Sequence, residues 1–205
     1  MNQAWIKSVL FSLGTAFGGL HAIAADAPTA ADKGATAIFA GGCFWCTESD
    51  FEKVPGVIAA ESGYTGGKKT NPTYEEVSAG GTGHTEAVRV TYDPARVNYA
   101  QLVEYFWHTI DPTVRNRQFC DVGSQYRSAI FWQTEEERTI AERSRDALLA
   151  SGRFKEIQTE IVKAGTFYPA EAYHQDYYKK NPLRYSYYRH GCGRDDRLKE
   201  LWGGK

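Results

Sequence analysis

The order in which strand and helix patterns follow one another is the strongest constraint on the fold of this chain. Short apolar or alternating runs predict strands. They span residues 36–40, 57–64, 85–92, 126–133 and 157–163. Apolar residues at helical spacing predict helices between these strands. They span residues 43–53, 98–110 and 134–152. A shorter helix at about residues 169–179 and a Gly-rich polar tail complete the predicted elements.

The resulting order is β-α-β-β-α-β, followed by a further α-β pair. This order is typical of the split βαβ pattern of ferredoxin-like α+β folds. We therefore expect a two-layer sandwich with a mixed sheet, followed by a C-terminal helix and a coil tail. A chain of 205 residues fits a single domain, which we place at residues 36–205.

The N-terminus has the pattern of a secretory signal peptide at residues 1–24. Lys7 precedes an apolar stretch that ends in a small-x-small pattern at residues 22–24. The alternative is a membrane anchor that is not cleaved. Residues 25–35 would then be a flexible lead-in. We expect an exported, periplasmic protein that does not contact the membrane after cleavage, in a compartment where disulfides persist.

Charge and cysteine spacing exclude several classes of function. The 24 basic and 25 acidic residues nearly cancel, so the bulk charge attracts neither nucleic acid nor an anionic membrane. Two of the four cysteines have C-x-x-C spacing, and the sequence has neither a second pair of this kind nor a His pair to complete a zinc site. We expect neither a metal nor an organic cofactor.

The most informative segment is GGCFWC, residues 41–46. Cys43 follows a strand and a glycine pair at a predicted helix start, where the helix dipole favours a thiolate with a lowered pKa. Cys46 lies one helical turn later, a spacing typical of thiol-disulfide oxidoreductases. Phe44 and Trp45 between them predict the wall of a small apolar pocket. The alternatives are a structural disulfide for the cysteines and core packing for the aromatic residues.

Two further segments carry candidate polar groups. Glu86 begins a mostly apolar strand, where burial would raise its pKa and make it a proton donor. Asp121, Tyr126 and Arg127 cluster after a glycine turn, and a tyrosine hydroxyl can donate to a polarised oxygen without carrying charge. The alternatives are a solvated edge glutamate, and turn chemistry with an ion pair.

Four segments in order resemble the A-type peptide methionine sulfoxide reductases. They are GGCFWC, NPTYEEVSAGGTGHTEAV, DVGSQYRSAIF and HQDYYKKNP, within about residues 37–182. The resemblance implies a split βαβ domain that reduces L-methionine S-sulfoxide, free or in oxidised proteins. It also implies a thioredoxin-like reductant, and we expect a monomer.

The resemblance implies a role for each matching residue. Cys43 would attack the sulfoxide sulfur and become a sulfenic acid. Glu86 would protonate the sulfoxide oxygen, Tyr74 and Tyr126 would donate hydrogen bonds to it, and Asp121 would support them.

The same resemblance implies a binding pocket for the substrate methyl group. Phe44 and Trp45 would hold that group, and Tyr185 would form a further wall of the pocket.

The resolving cysteine is the one departure from the family pattern. Many members carry it where this chain has Ser186. Resolution must then come from Cys46, which we favour slightly, from Cys192 in the tail, from Cys120 as a less favoured candidate, or not at all. Two rival functions are a general thiol-disulfide oxidoreductase and an exported binding module with two structural disulfides.

Overall fold

The computed structural model describes residue 1 and residues 34–203. The predicted signal peptide, apart from residue 1, and residues 25–33 of the predicted lead-in lie outside the described residues. The strands of the described part are β1 Ala35–Gly41, β2 Val57–Thr65, β3 Thr85–Tyr92, β4 Arg117–Gln118, β5 Asp121–Val122, β6 Ser128–Trp132, β7 Glu160–Lys163 and β8 Tyr168–Pro169. The helices are α1 Phe44–Phe51, α2 Tyr74–Ala79, α3 Tyr99–Trp107, α4 Glu135–Ala150, α5 Tyr177–Lys180, α6 Pro182–Gly191 and α7 Arg194–Trp202.

Six strands form one mixed sheet in the order β7-β6-β1-β3-β2-β8. The β6–β7 pair is parallel, and the other neighbouring pairs are antiparallel. In the central part, β6-β1-β3-β2, strand β3 lies between β1 and β2, which are joined through α1. This is the split βαβ arrangement, and the predicted α+β fold with a mixed sheet is confirmed. The strands β4 and β5 form a separate two-stranded ribbon.

Alternate residues of β1 point to opposite faces of the sheet, as the strand geometry requires. Ala37 and Phe39 belong to the core under the helices, whereas Ile38 and Ala40 belong to a smaller cluster on the other face. Phe39 stacks on Phe51 of α1 with the ring centroids 4.8 Å apart. Burial of each such phenylalanine contributes about 1.5–3 kcal/mol. These contacts fix α1, and therefore its N-terminus, against the sheet.

The predicted coil tail is wrong, because residues 182–202 form the helices α6 and α7. Pro182 occupies the first turn of α6, where its missing N–H costs nothing. Gly193 adopts φ +64° and separates the two helices. Arg194 at the start of α7 is 2% exposed and donates to the carbonyl oxygens of Gly41 and Thr109, so tertiary hydrogen bonds hold a helix whose sequence is mostly polar.

Two other predicted boundaries also differ. The strand predicted at residues 126–133 is shorter in the structure, where it spans Ser128–Trp132. Tyr126 is instead the last residue of a 3₁₀ helix, Ser124–Tyr126. The short helix expected at about residues 169–179 is reduced to Tyr177–Lys180. Within residues 34–203, no helix combines the length and hydropathy needed to cross a membrane.

Candidate active site

A small cavity of about 70 Å³ lies at the N-terminus of α1. It is lined by Cys43, Phe44, Trp45, Tyr74, Glu86, Asp121, Tyr126 and Tyr188. Seven of these eight residues were predicted from the sequence. The cavity is well below the roughly 300–1,000 Å³ of pockets for drug-sized ligands, so it suits one small chemical group.

A larger, open groove of about 730 Å³ crosses strands β1, β2 and β3. The ion pair between Arg89 and Glu61 lies on its floor. No cysteine, histidine or serine lines it within the described residues. The smaller cavity is therefore the candidate active site, because the nucleophilic and acidic side chains converge there.

The turn between β1 and α1 places Cys43 at the cavity. Cys43 is the N-cap of α1, as the strand–glycine–helix pattern predicted. Gly42 adopts φ +82°, and a Cβ there would lie 2.5 Å from the Cβ of Gln118. This position therefore requires glycine. The next residue, Phe44, donates its backbone N–H to Glu86 Oε2 at 2.9 Å, which joins the turn to β3.

Glu86 is 2% exposed and lies on β3, which pairs with β1. Burial raises the pKa of Glu86 to about 8, although the hydrogen bond from the Phe44 N–H opposes this shift. The carboxyl group is therefore mostly protonated at neutral pH. This is the state that a proton donor requires, and the proposed role of Glu86 stays a prediction.

The predicted lowering of the Cys43 pKa is wrong. Burial raises the pKa of Cys43 well above its usual value, and the neighbouring Cys46 and Glu86 add to this effect. Because Cys43 is only 6% exposed, the loss of hydration outweighs the field of the helix N-terminus. Cys43 is therefore a thiol in the resting protein.

Tyr74 and Tyr126 are two of the tyrosines that line the cavity. Burial raises the pKa of Tyr74 to about 12 and raises the pKa of Tyr126 further. Both therefore remain protonated donors at any physiological pH. Asp121 accepts a hydrogen bond from the Tyr188 hydroxyl at 2.5 Å, and burial raises the pKa of Asp121.

Tyr188 takes the place in the cavity wall that was predicted for Tyr185. Tyr185 instead packs with Tyr177 around Cys46. Its hydroxyl accepts a hydrogen bond from Arg189 Nη1 at 3.1 Å. Tyr185 is not among the residues that line the cavity. Tyr188 lies three positions after Tyr185 on α6. A helix predicted for this segment would have placed both tyrosines on the same face and made Tyr188 a candidate.

The HQDYY segment supports Trp45 from behind the cavity. The indole N–H of Trp45 donates to His174 Nδ1 at 3.0 Å. Tyr177 stacks on the indole with the ring centroids 3.8 Å apart and an interplanar angle of 6°. This segment is one of the four that resemble the reductase family, but the sequence alone assigned no role to His174 or Tyr177.

The four cysteines divide into one disulfide and two free thiols. Cys120 and Cys192 are joined by a disulfide with their Cα atoms 4.9 Å apart. The expectation that Cys192 lies in a coil tail is therefore wrong, because the disulfide fixes it at the junction of α6 and α7. Cys43 and Cys46 are free and buried. A hydrogen bond from Cys43, with the charges of Arg194 and Arg189, lowers the pKa of Cys46 to about 7 despite burial.

Two groups of candidate metal ligands occur in the described part of the chain. They are Cys120 with Asp121 and Cys192, and Glu48 with Glu52 and Asp176. The first group contains the disulfide. In the second, Lys179 already forms ion pairs with Glu52 and Asp176. Neither group brings a ligand set to the cavity.

A family model described as peptide methionine sulfoxide reductase matches residues 35–205. The chain belongs to this family. MsrA 2 of Caulobacter vibrioides is 53% identical over 186 residues, which cover 90% of this chain and 94% of the relative. MsrA of Bacillus licheniformis is 52% identical over 176 residues, which cover 85% and 97%. The resemblance carried by the four sequence segments is confirmed.

Solved structures of the family share the fold. Methionine sulfoxide reductase A of Corynebacterium diphtheriae is 41% identical, with a TM-score of 0.65 over 72% of this chain and 75% of that chain. The reduced form of Mxr1 from Saccharomyces cerevisiae is 31% identical, with a TM-score of 0.69 over 73% and 87%.

Proposed function

We propose that this protein is a thiol-dependent reductase of L-methionine S-sulfoxide, free or in oxidised proteins. The observation that carries the proposal is the cavity in which a buried thiol, a protonated carboxyl group and two tyrosine hydroxyls converge. Family membership supports it, because the relatives are named as peptide methionine sulfoxide reductases. The cavity has room for one small group, which fits the methylsulfinyl end of the substrate.

In the first step, the Cys43 sulfur attacks the sulfoxide sulfur, Glu86 and the Cys43 thiol each give a proton to the oxygen, and the S–O bond breaks with release of water. Water then attacks the Cys43 sulfur, the S–S bond to the substrate breaks, methionine leaves, and Cys43 becomes a sulfenic acid. A proton of that water returns to Glu86. One thiol and one sulfoxide thus become one sulfenic acid and one thioether, so no other reductant enters this step.

The other cavity residues stabilise and place the substrate. The hydroxyl groups of Tyr74 and Tyr126 would donate hydrogen bonds to the sulfoxide oxygen, which carries partial negative charge. Such donors stabilise charge more strongly in a buried site than in water. Phe44 and Trp45 provide the apolar surface for the methyl group. Asp121 holds Tyr188 in the cavity wall through its hydrogen bond.

Cys46 is the proposed resolving residue. It is free, buried and hydrogen-bonded to Cys43, whereas Cys120 and Cys192 are joined to each other in a disulfide. Its lowered pKa favours the thiolate that attacks a sulfenic acid. This attack releases water and leaves a disulfide between Cys43 and Cys46.

A thioredoxin-like dithiol then reduces that disulfide by thiol–disulfide exchange. The yeast relative Mxr1 has also been solved in a complex with Trx2, which supports this class of partner. The reaction uses no metal and no organic cofactor.

We further propose that the protein is exported to the periplasm as a monomer after removal of residues 1–24. The signal pattern supports export. The Cys120–Cys192 disulfide is in keeping with an oxidising compartment. Oxidised envelope or secreted proteins would then be its substrates.

The test is steady-state turnover of a dabsyl-methionine sulfoxide mixture with dithiothreitol, by wild type and Cys43→Ser. We expect loss of the S epimer alone, and no loss with the variant. Reduction of insulin disulfides without sulfoxide turnover by folded, reduced wild type would instead favour the thiol-disulfide oxidoreductase. The binding module predicts no turnover and no effect of the variant.

A further inference from the structure

His174 lies behind the aromatic wall of the cavity. Its side chain is 2% exposed. Its ring centroid is 4.9 Å from that of Phe44 and 4.3 Å from that of Tyr74, two residues that line the cavity. His174 itself does not line the cavity. It can therefore affect the substrate only through the residues that it supports.

The hydrogen bond from Trp45 determines which nitrogen of His174 carries the proton. An indole N–H can only donate, so His174 Nδ1 must be an unprotonated acceptor. Burial lowers the pKa of His174. The ring is therefore neutral, with its proton on Nε2. That Nε2 is buried and has no hydrogen-bond partner among residues 34–203.

This arrangement is expensive for a residue that only fills space. A buried donor without a partner is destabilising, because it loses its hydrogen bond to water and gains none in the protein. An apolar ring could fill the same volume without that cost. Since the single hydrogen bond found for the ring goes to Trp45, the acceptor at Nδ1 is the feature that the site requires.

Trp45 benefits from this acceptor because aromatic contacts are not directional within the plane of the indole. Stacking on Tyr177 fixes the plane of the indole. Stacking alone still allows the indole to slide and rotate within that plane. The hydrogen bond to His174 removes that freedom. Because Trp45 lines the cavity, a shift of the indole within its plane would change the space open to the substrate methyl group.

The segment that carries His174 is itself held firmly. The side-chain amide of Gln175 bonds both the N–H and the C=O of Ser62 on β2, at 2.9 and 2.8 Å. The backbone N–H of Asp176 donates to Glu48 Oε1 on α1 at 2.6 Å. The acceptor for Trp45 is thus anchored to both layers of the fold.

We propose that His174 is a positioning residue that sets the S-alkyl selectivity of the enzyme, by fixing the Trp45 indole at a distance that admits methyl and disfavours ethyl. This inference rests on the proposed sulfoxide reductase activity. Pockets that reject one extra methylene discriminate by about 10–200-fold. We therefore expect the wild type to prefer methionine S-sulfoxide over ethionine S-sulfoxide within that range.

The kinetic test compares kcat/KM for these two substrates in wild type, His174→Phe and His174→Asn. Phenylalanine keeps a ring but removes the acceptor, so the preference for methyl should fall about fivefold, as expected for one lost hydrogen bond. The asparagine side-chain oxygen can occupy the position of Nδ1, so His174→Asn should keep the preference. An equal preference in all three proteins would overturn the inference, whereas a wild type that reduces neither substrate would overturn the proposed function.

A second measurement tests the hydrogen bond without turnover. In ¹⁵N-tryptophan-labelled protein, the Trp45 indole resonance is assigned by its absence from Trp45→Phe. Its N–H should exchange slowly with solvent in wild type and in His174→Asn, and fast in His174→Phe. Fast exchange in the wild type would overturn the inference even if His174→Phe did not fold.

Discussion

Replacement of Glu86 by glutamine separates the chemistry of this residue from its place in the fold. The amide oxygen of glutamine can still accept the hydrogen bond from the Phe44 N–H, so the turn around Cys43 keeps its anchor. The variant has no proton to give. A general acid contributes about 10²–10⁴-fold to rate, so we expect kcat/KM for the S-sulfoxide to fall by that factor.

The same change should stabilise the fold at neutral pH. The pKa of Glu86 is about 8 in the folded protein and 4.5 in the unfolded chain. Between these pH values the unfolded chain loses the Glu86 proton more readily than the folded protein does, and this favours unfolding. Folding stability from this group is complete below pH 4.5 and is lost as pH rises towards 8. At 1.36 kcal/mol per pH unit, the loss between pH 5 and pH 7.5 is about 3 kcal/mol. Glu86→Gln removes this pH-dependent loss of stability, because glutamine does not ionise.

Urea unfolding of wild type and Glu86→Gln at pH 5 and pH 7.5 measures the effect. The free energy of unfolding of the variant, relative to wild type, should rise by about 3 kcal/mol between the two pH values. Because glutamine does not titrate, its own packing cost cancels in this difference. A pH-independent difference would show that Glu86 is ionised in the folded protein and would refute the proton-donor reasoning.

Three further predictions follow from the same geometry. The kcat/KM of the wild type should fall as pH rises through about 8, where Glu86 loses its proton, and a flat profile to pH 9.5 would contradict this assignment. Tyr126→Phe should lower kcat/KM about 100-fold, as expected for one lost donor to a developing charge, and unchanged kinetics would exclude contact with the oxygen. Replacing both Cys120 and Cys192 by serine opens a cross-link between positions 72 residues apart. The change should lower the free energy of unfolding by about 4 kcal/mol, measured by thermal unfolding. An unchanged Tm would contradict a stabilising role for this bond, and loss of disulfide formation after one turnover would show that the two cysteines take part in the reaction.

Much of the site could be predicted because its residues lie close to strong local signals. The strand, the glycine pair and the helix start around Cys43 are encoded within about ten residues. The β1–β3 pairing that brings Glu86 to Cys43 follows from the order of the elements. The matching segments also placed Tyr74, Asp121 and Tyr126 together before any distance was known.

The errors come from properties that only the tertiary structure determines. The pKa of Cys43 depends on burial by residues far apart in the sequence, so the local helix-dipole argument gave the wrong sign. The helices α6 and α7 are mostly polar, and α7 is held by hydrogen bonds from the buried Arg194 to distant backbone carbonyls rather than by a periodic apolar face. Without α6 as a helix, the exchange of Tyr185 for Tyr188 in the cavity wall could not be foreseen.

The central claim is that the sulfoxide oxidises Cys43 to a sulfenic acid and that Cys46 resolves this sulfenic acid. A single turnover without reductant tests it most directly. The enzyme with Cys43 and Cys46 as free thiols and the Cys120–Cys192 bond intact is mixed with L-methionine sulfoxide containing both sulfur epimers. The methionine released and the cysteine linkages are measured by mass spectrometry. The account predicts one methionine per enzyme from the S epimer and a new disulfide between Cys43 and Cys46, with the Cys120–Cys192 bond unchanged. Release of no methionine, or a new disulfide that joins Cys43 to Cys192, would contradict it.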